Sequence, residues 1–181
     1  MTISLSLPTA QVEPRPLPAR QGNRGDATKR LDEEMERARQ DAAYQFSTVL
    51  VHFEGLSASS DRLGYAAASE DVWRRATGFL TQDLRATDLC CRLSTDEFVL
   101  ILAAQGPAEA RALVDRLRGR WQPAPGSRDA DIQINIGIAS YPTHGCRIQE
   151  LLRAADEALD ADRVHNDILR ADQPPRITMS H

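Results

Sequence analysis

The chain has 181 residues, 41% hydrophobic and 27% charged, enough apolar material for one domain with a buried core. Its formal net charge of -4, with basic groups interleaved among acids, leaves no basic stripe to neutralise phosphates along a nucleic acid. No run nears the ~18 apolar residues of a spanning helix, and the start MTISLSLPTA lacks the cationic lead of an export signal, so the expectation is a cytoplasmic protein with neither a nucleic-acid nor a membrane partner.

The first 25 residues hold Pro8, Pro14, Pro16 and Pro18 and few large apolar groups, which predicts a flexible proline-rich arm. Leu31, Met35 and Ala38 share a helical face and predict a helix over 26–42. FSTVLVHFE at 46–54 is apolar, β-branched and of the right length for a buried strand. Ser69-Glu70-Asp71 places a cap and two acids at a helix start, and Val72, Ala76, Phe79, Leu80 and Leu84 continue one apolar face to about Arg85. DLCCRL and DEFVLILA then read as a hairpin joined by Ser94-Thr95.

Gly106-Pro107 opens a helix with Ala110, Leu113, Val114 and Leu117 inward, closed by Pro123, Pro125 and Gly126. In DIQINIGIAS the residues Ile132, Ile134, Ile136 and Ile138 recur with period two, so they occupy one face of a strand whose other face is more polar. A final amphipathic helix spans 147–165 with Leu151, Leu152, Ala155 and Leu159 inward, and Pro174-Pro175 mark a tail from 167 to 181. The folded part, 26–166, is therefore an α/β (α+β) domain, a sheet with helices packed on it. Cys90, Cys91 and Cys146 fit neither a zinc spacing nor an even disulfide framework and read as reduced packing residues. Trp73 and Trp121 read as core or interface groups, and His144 and His165 lack a ligand constellation.

Several anchors in order carry a family resemblance. VLVHFEGLSASSDRLGY stands where GGDEF (diguanylate cyclase) domains have a strand with Asp-x-Asp followed by Phe-Lys, Asn-Asp and Gly-His. RATDLCCRLSTDEF stands at their Arg-x-x-Asp and signature hairpin, INIGIASYPTHG at their Ser-x-Gly-hydrophobic-Ala strand, and ADEALDADRVHN at their closing helix. The chain thus resembles that family over most of its folded region. The resemblance implies a nucleotide-cyclase palm, a ferredoxin-like sheet of four to five strands, and condensation of two GTP into cyclic di-GMP across a homodimer, with Mg2+ on the triphosphate.

The same resemblance singles out departures. His52 stands at the first metal-binding Asp and Glu54 at the second. Imidazole is a poor ligand for a hard cation, so with Glu54 and Asp96 as the remaining metal candidates the site is either crippled for Mg2+ or suited to a softer metal. Ser94 and Thr95 replace two glycines whose backbone must approach phosphate oxygens. A left-handed Thr there costs about 1–2 kcal/mol, which predicts a changed turn. Asp96 and Glu97 retain the acidic pair that the resemblance assigns to metal binding and to deprotonation of the attacking hydroxyl. Ser60 and Asp61 occupy the guanine-reading positions, and Arg163 lies near the phosphate-binding cation.

Arg85-Ala-Thr-Asp88 falls at the spacing of the family's inhibitory site, where a guanidinium and a carboxylate meet cyclic di-GMP. The alternative there is an i,i+3 pair at a helix end. Three functions follow as expectations: an inactive or strongly impaired regulatory domain that binds cyclic di-GMP at Arg85 and Asp88 and acts through a protein partner; a working cyclase needing Mg2+; or a nucleotide-independent interaction module. No cofactor is expected beyond Mg2+ in the second case.

Overall fold

A computed structural model describes residues 20–56, 66–121 and 132–171, with side chains given except for 66–73 and 167–171. Nine elements follow in order: β1 (Arg20–Gly22), α1 (Arg24–Gln40), β2 (Phe46–Glu54), α2 (Ala66–Thr81), β3 (Leu89–Arg92), β4 (Glu97–Leu102), α3 (Pro107–Arg120), β5 (Gln133–Tyr141) and α4 (Ile148–Ala171). The strands form one five-stranded sheet in the order β1-β3-β4-β2-β5. β1 runs parallel to β3 and every other pairing is antiparallel. This is the mixed α/β architecture expected.

The central strands carry apolar residues on both faces because both faces are covered. From β2, Val49, Val51 and Phe53 enter one core with Leu80 of α2 and Leu113 and Leu117 of α3. Its other residues, Phe46 and Leu50, enter a second core with Leu31 and Met35 of α1 and Leu151 and Ala155 of α4. In the first core Phe53 meets Phe98 and Trp121 edge-on, with centroids 5.7 and 5.2 Å apart. The isoleucine face of β5 joins that core as predicted. Its polar face is also buried, under α4. A Cβ on Gly137 would lie 1.9 Å from the Ala155 carbonyl oxygen, so the absence of a side chain there sets how close α4 can lie.

Several boundaries differ from those read in the sequence. Residues 20–25, assigned to the arm, form β1 and the start of α1, where Asn23 caps the amides of Gly25 and Asp26 and the Asp26 carboxylate accepts from the Asn23 amide. The tail boundary shifts because α4 continues to Ala171. Helix α2 begins at Ala66, ahead of the Ser69 cap. Residues 1–19, the loop prolines 123 and 125, and the Trp73 side chain lie outside the described residues.

The β3–β4 connection comprises residues 93–96, wider than the two-residue turn expected. The Glu97 carbonyl accepts from the amides of Leu93 and Ser94, at 2.9 and 3.3 Å. Positive φ among the described residues occurs at Ala104 and Gly55, so neither Ser94 nor Thr95 is left-handed. The turn is rebuilt from right-handed and extended residues, the outcome expected where Cβ atoms occupy positions that suit glycine.

Candidate functional site

One end of the sheet gathers the residues that the sequence pointed to. On β2, His52 lies opposite Glu97 of β4 on one side and Asn135 of β5 on the other, and directly opposed residues share a face. The Phe53 amide donates to the Asp96 carbonyl at 2.9 Å, which holds the hairpin against the end of β2. Asp96 Oδ2 comes to 3.8 Å from His52 Nε2. The reach from signature hairpin to β2 is therefore real, and Asp96, Glu97 and His52 belong to one constellation.

Ser94 reorganises the tip of that hairpin. Its hydroxyl donates to Asp96 Oδ1 at 2.9 Å and accepts from the amides of Asp96 and Glu97 at 3.4 and 3.2 Å. These backbone N–H groups are turned onto a side chain of the turn itself, the kind of local competition that Ser hydroxyls offer. The Ser94 carbonyl accepts from Arg92 Nε at 2.6 Å.

Arg163 does not stand free as a phosphate cation. Its Nη2 lies 3.0 Å from His52 Nδ1 and its Nη1 3.7 Å from Asp160. Guanidinium nitrogens only donate, so Nδ1 is the acceptor and the imidazole proton resides on Nε2, facing Asp96. Glu54 is engaged elsewhere. Its Oε2 accepts from Asn135 Nδ2 at 3.0 Å, and Asn135 Oδ1 accepts from Asn166 Nδ2 at 2.7 Å. His52 and Glu54 share a strand face but point to different partners, and no group of three or more His, Cys, Asp or Glu side chains is placed for a metal ion among the described residues. The metal candidates Glu54 and Asp96 are thus not brought into a common ligand set. A nitrogen ligand and a permanent guanidinium beside it do not fit Mg2+, which requires oxygen donors and a net negative site. Ser60 and Asp61 lie outside the described residues.

The Arg85–Asp88 segment occupies the opposite end of the sheet. It is a closed turn: the Asp88 amide donates to the Arg85 carbonyl at 3.0 Å, and Asp88 Oδ2 accepts from the Arg85 amide at 2.8 Å. Asp88 Oδ1 accepts from the Ala103 amide and from Gln105 Nε2, at 3.2 and 2.9 Å. The Asp88 carboxylate is buried and both oxygens have partners, while Arg85 is exposed. Burial pushes the Asp88 carboxyl above its ordinary range, against the three donors and Arg85, which hold it down. Both carboxylate oxygens thus serve donors of the chain itself, and Asp88 staples the loop from inside.

Further polar groups escaped the sequence reading. Glu34 is fully buried on α1, with Arg30 Nε at 2.6 Å and Arg37 Nη1 at 2.8 Å, and it accepts from the Tyr44 hydroxyl. Arg30 Nη2 donates to the Thr87 carbonyl at 2.6 Å, tying α1 to the Arg85–Asp88 turn. For Asn135 a signal existed, an amide in a strand of isoleucines; for Gln105 there was none. Buried thiols are inert here, with Cys90 pushed up to about 12 and Cys91 to about 11, both mainly by burial.

The family model described as "Diguanylate cyclase, GGDEF domain" matches residues 21–166. The bifunctional diguanylate cyclase/cyclic di-GMP phosphodiesterase MucR of Pseudomonas aeruginosa is 34% identical over 134 residues, 71% of this chain and 19% of that protein. The response regulator PleD of Caulobacter vibrioides is 28% identical over 118 residues, 62% of this chain and 26% of its own length. The chain thus spans well under two thirds of these relatives. The solved GGDEF domain of TpbB (YfiN) from Pseudomonas aeruginosa superposes with a TM-score of 0.68 at 26% identity, covering 81% of this chain and 86% of that one. No helix of the described residues is long and apolar enough to cross a membrane. By a sequence match over residues 21–166 and by its likeness in fold, the chain belongs to the GGDEF diguanylate cyclase domain family.

Proposed function

We propose that this domain is a cytoplasmic regulatory member of its family that does not condense GTP, binds cyclic di-GMP at the Arg85–Asp88 turn and acts through a protein partner. The observation that carries the first clause is the Arg163 guanidinium on His52, a cation and an imidazole where the family resemblance puts the first Mg2+-binding carboxylate. The closed Ser94 turn supports it independently, since its amides serve Ser94 Oγ instead of standing open to phosphate. Phosphoryl transfer depends on metal and amide positioning, so losing both supports together disables the step. In the binding clause Arg85 provides the exposed donor fork, and Asp88 provides the shape of the turn.

Two measurements on the purified chain test this reading. GTP with Mg2+ or Mn2+ gives no cyclic di-GMP by chromatography; turnover at an ordinary cyclase rate would overturn the first clause. Calorimetric titration with cyclic di-GMP gives low-micromolar binding that disappears in Arg85→Ala, a surface change that leaves the turn intact. Absence of heat would transfer support to a nucleotide-independent interaction module.

A further inference from the structure

Among the described residues β5 is an edge strand, and its outer edge faces a cleft of about 480 Å³ between α3 and α4. The Ile136 amide donates outward to Asp162 Oδ2 at 2.8 Å and the Ser140 amide to His144 Nδ1 at 2.9 Å, while the Ile134 carbonyl accepts from Asn166 at 3.3 Å. Even-numbered residues of β5 therefore aim their backbone groups away from β2. By that alternation the N–H and C=O of Ile138, between the two side-chain caps, face the cleft, and its side chain lines it.

The walls are apolar in the middle and cationic at the ends. Val114 on α3 and Ala158 and Ala161 on α4 leave space opposite Ile138, with Arg111 and Arg118 on the α3 wall, Arg111 Nε lying 3.9 Å from Asp115 Oδ1 in an exposed i,i+4 pair. The one acidic group in the lining, Asp162, is occupied by the Ile136 amide and by Arg118 at 2.6 Å. His144 uses Nδ1 as an acceptor, which leaves its Nε2–H as a donor. Val164, 59% exposed, follows Ala161 by three residues on α4 and extends the apolar surface. From Pro107 to Arg118 the α3 wall rises about 16 Å, room for roughly five residues in extended conformation.

We propose that this cleft docks a short, extended, acidic segment of a partner protein, which pairs with the Ile138 backbone, seats small apolar side chains against Ala158 and Ala161, and directs carboxylates to Arg111 and Arg118. Charge complementarity and the uncapped step between two capped ones select this occupant. The docking is independent of cyclic di-GMP binding at the Arg85–Asp88 turn.

The probe is a fluorescein-labelled peptide, Asp-Val-Ala-Val-Asp, whose odd residues face α3 and even residues α4. Anisotropy with the full chain gives saturable binding, weakened at least ten-fold by Arg111→Glu, by methylation of the central alanine nitrogen of the peptide, and by replacing both Asp with Lys. The Ile138 amide shifts in the nitrogen–proton spectrum on titration. No saturable binding overturns the proposal. So does binding that survives Arg111→Glu, which places the peptide elsewhere, or binding indifferent to N-methylation, which reduces it to charge attraction without strand pairing.

Discussion

The two ends of the sheet expose their polar groups to different degrees. At the end bearing Ser47, Asp88 and Gln105, polar side chains are buried and linked. Ser47 Oγ donates to the Gln105 and Gly106 carbonyls and exchanges a 2.7 Å bond with Ser140 Oγ, and Gln105 reaches Asp88. At the other end Asn135 is buried between Glu54 and Asn166, but His52, Asp96 and Glu97 stand half-buried. The first end is stabilising architecture, where a lost partner leaves a desolvated group. The second is a surface where substitutions alter chemistry at little cost in stability.

The largest effect expected from this contrast is at Glu34. Glu34→Ala removes the partner of buried Arg30 and of the Tyr44 hydroxyl, which also accepts from the Ala104 amide. Breaking a buried pair from one side costs about 3–5 kcal/mol, to be read as a drop in urea midpoint. A loss below about 1 kcal/mol would show that this end is no more anchored than the hairpin end.

Asp88→Asn comes next. Asparagine must turn an amide toward either the Arg85 amide or the Ala103 and Gln105 donors, at a cost of about 1–3 kcal/mol at neutral pH. The pH dependence has a definite sign. Burial raises the folded carboxyl above its unfolded value, so the folded state holds a proton that the unfolded state has released. The Asp88 contribution therefore makes stability fall as pH climbs from the ordinary Asp value through the raised one, and level off above it. In Asp88→Asn that slope vanishes. Urea midpoints between pH 3.5 and 6.5 in both proteins check it. Ser47→Ala follows with about 1 kcal/mol, the usual net value of a hydrogen bond. By comparison Arg85→Ala, at an exposed position, stays within about 0.5 kcal/mol.

Much of the fold was legible because burial leaves a periodic trace. The run at 46–54 is apolar on both faces because α1 and α4 cover one and α2 and α3 the other, and its bounds coincide with β2. Residues 20–25 were misread because a three-residue edge strand has too few side chains to show a period, and its pairing with β3 depends on a partner about 70 residues away. At the site, strand register made His52, Asp96 and Glu97 neighbours, which family spacing anticipates. What spacing cannot convey is direction. Whether a carboxylate points to solvent, like a ligand contact, or inward, like Asp88, depends on donors supplied by Ala103 and Gln105 from another strand end. Arg163 is similar, since its partner lies 111 residues upstream.

The smallest stability effect is expected where the chemical effect is sharpest. Arg163 is partly exposed and its contacts are one imidazole nitrogen and a longer approach to Asp160, so Arg163→Ala changes stability by no more than about 0.5 kcal/mol. The same change removes the donor that pins the His52 tautomer. In the parent chain, long-range nitrogen–proton correlation is expected to show His52 Nδ1 as the acceptor and the proton on Nε2. In Arg163→Ala the Nδ1 resonance moves toward the average of the two tautomers, and the Asp96 carboxylate, now facing a ring free to turn, becomes the dominant influence on it. An unchanged spectrum would mean that Asp96 alone fixes the ring at 3.8 Å, and the cation beside His52 would no longer support the proposal that the domain does not condense GTP.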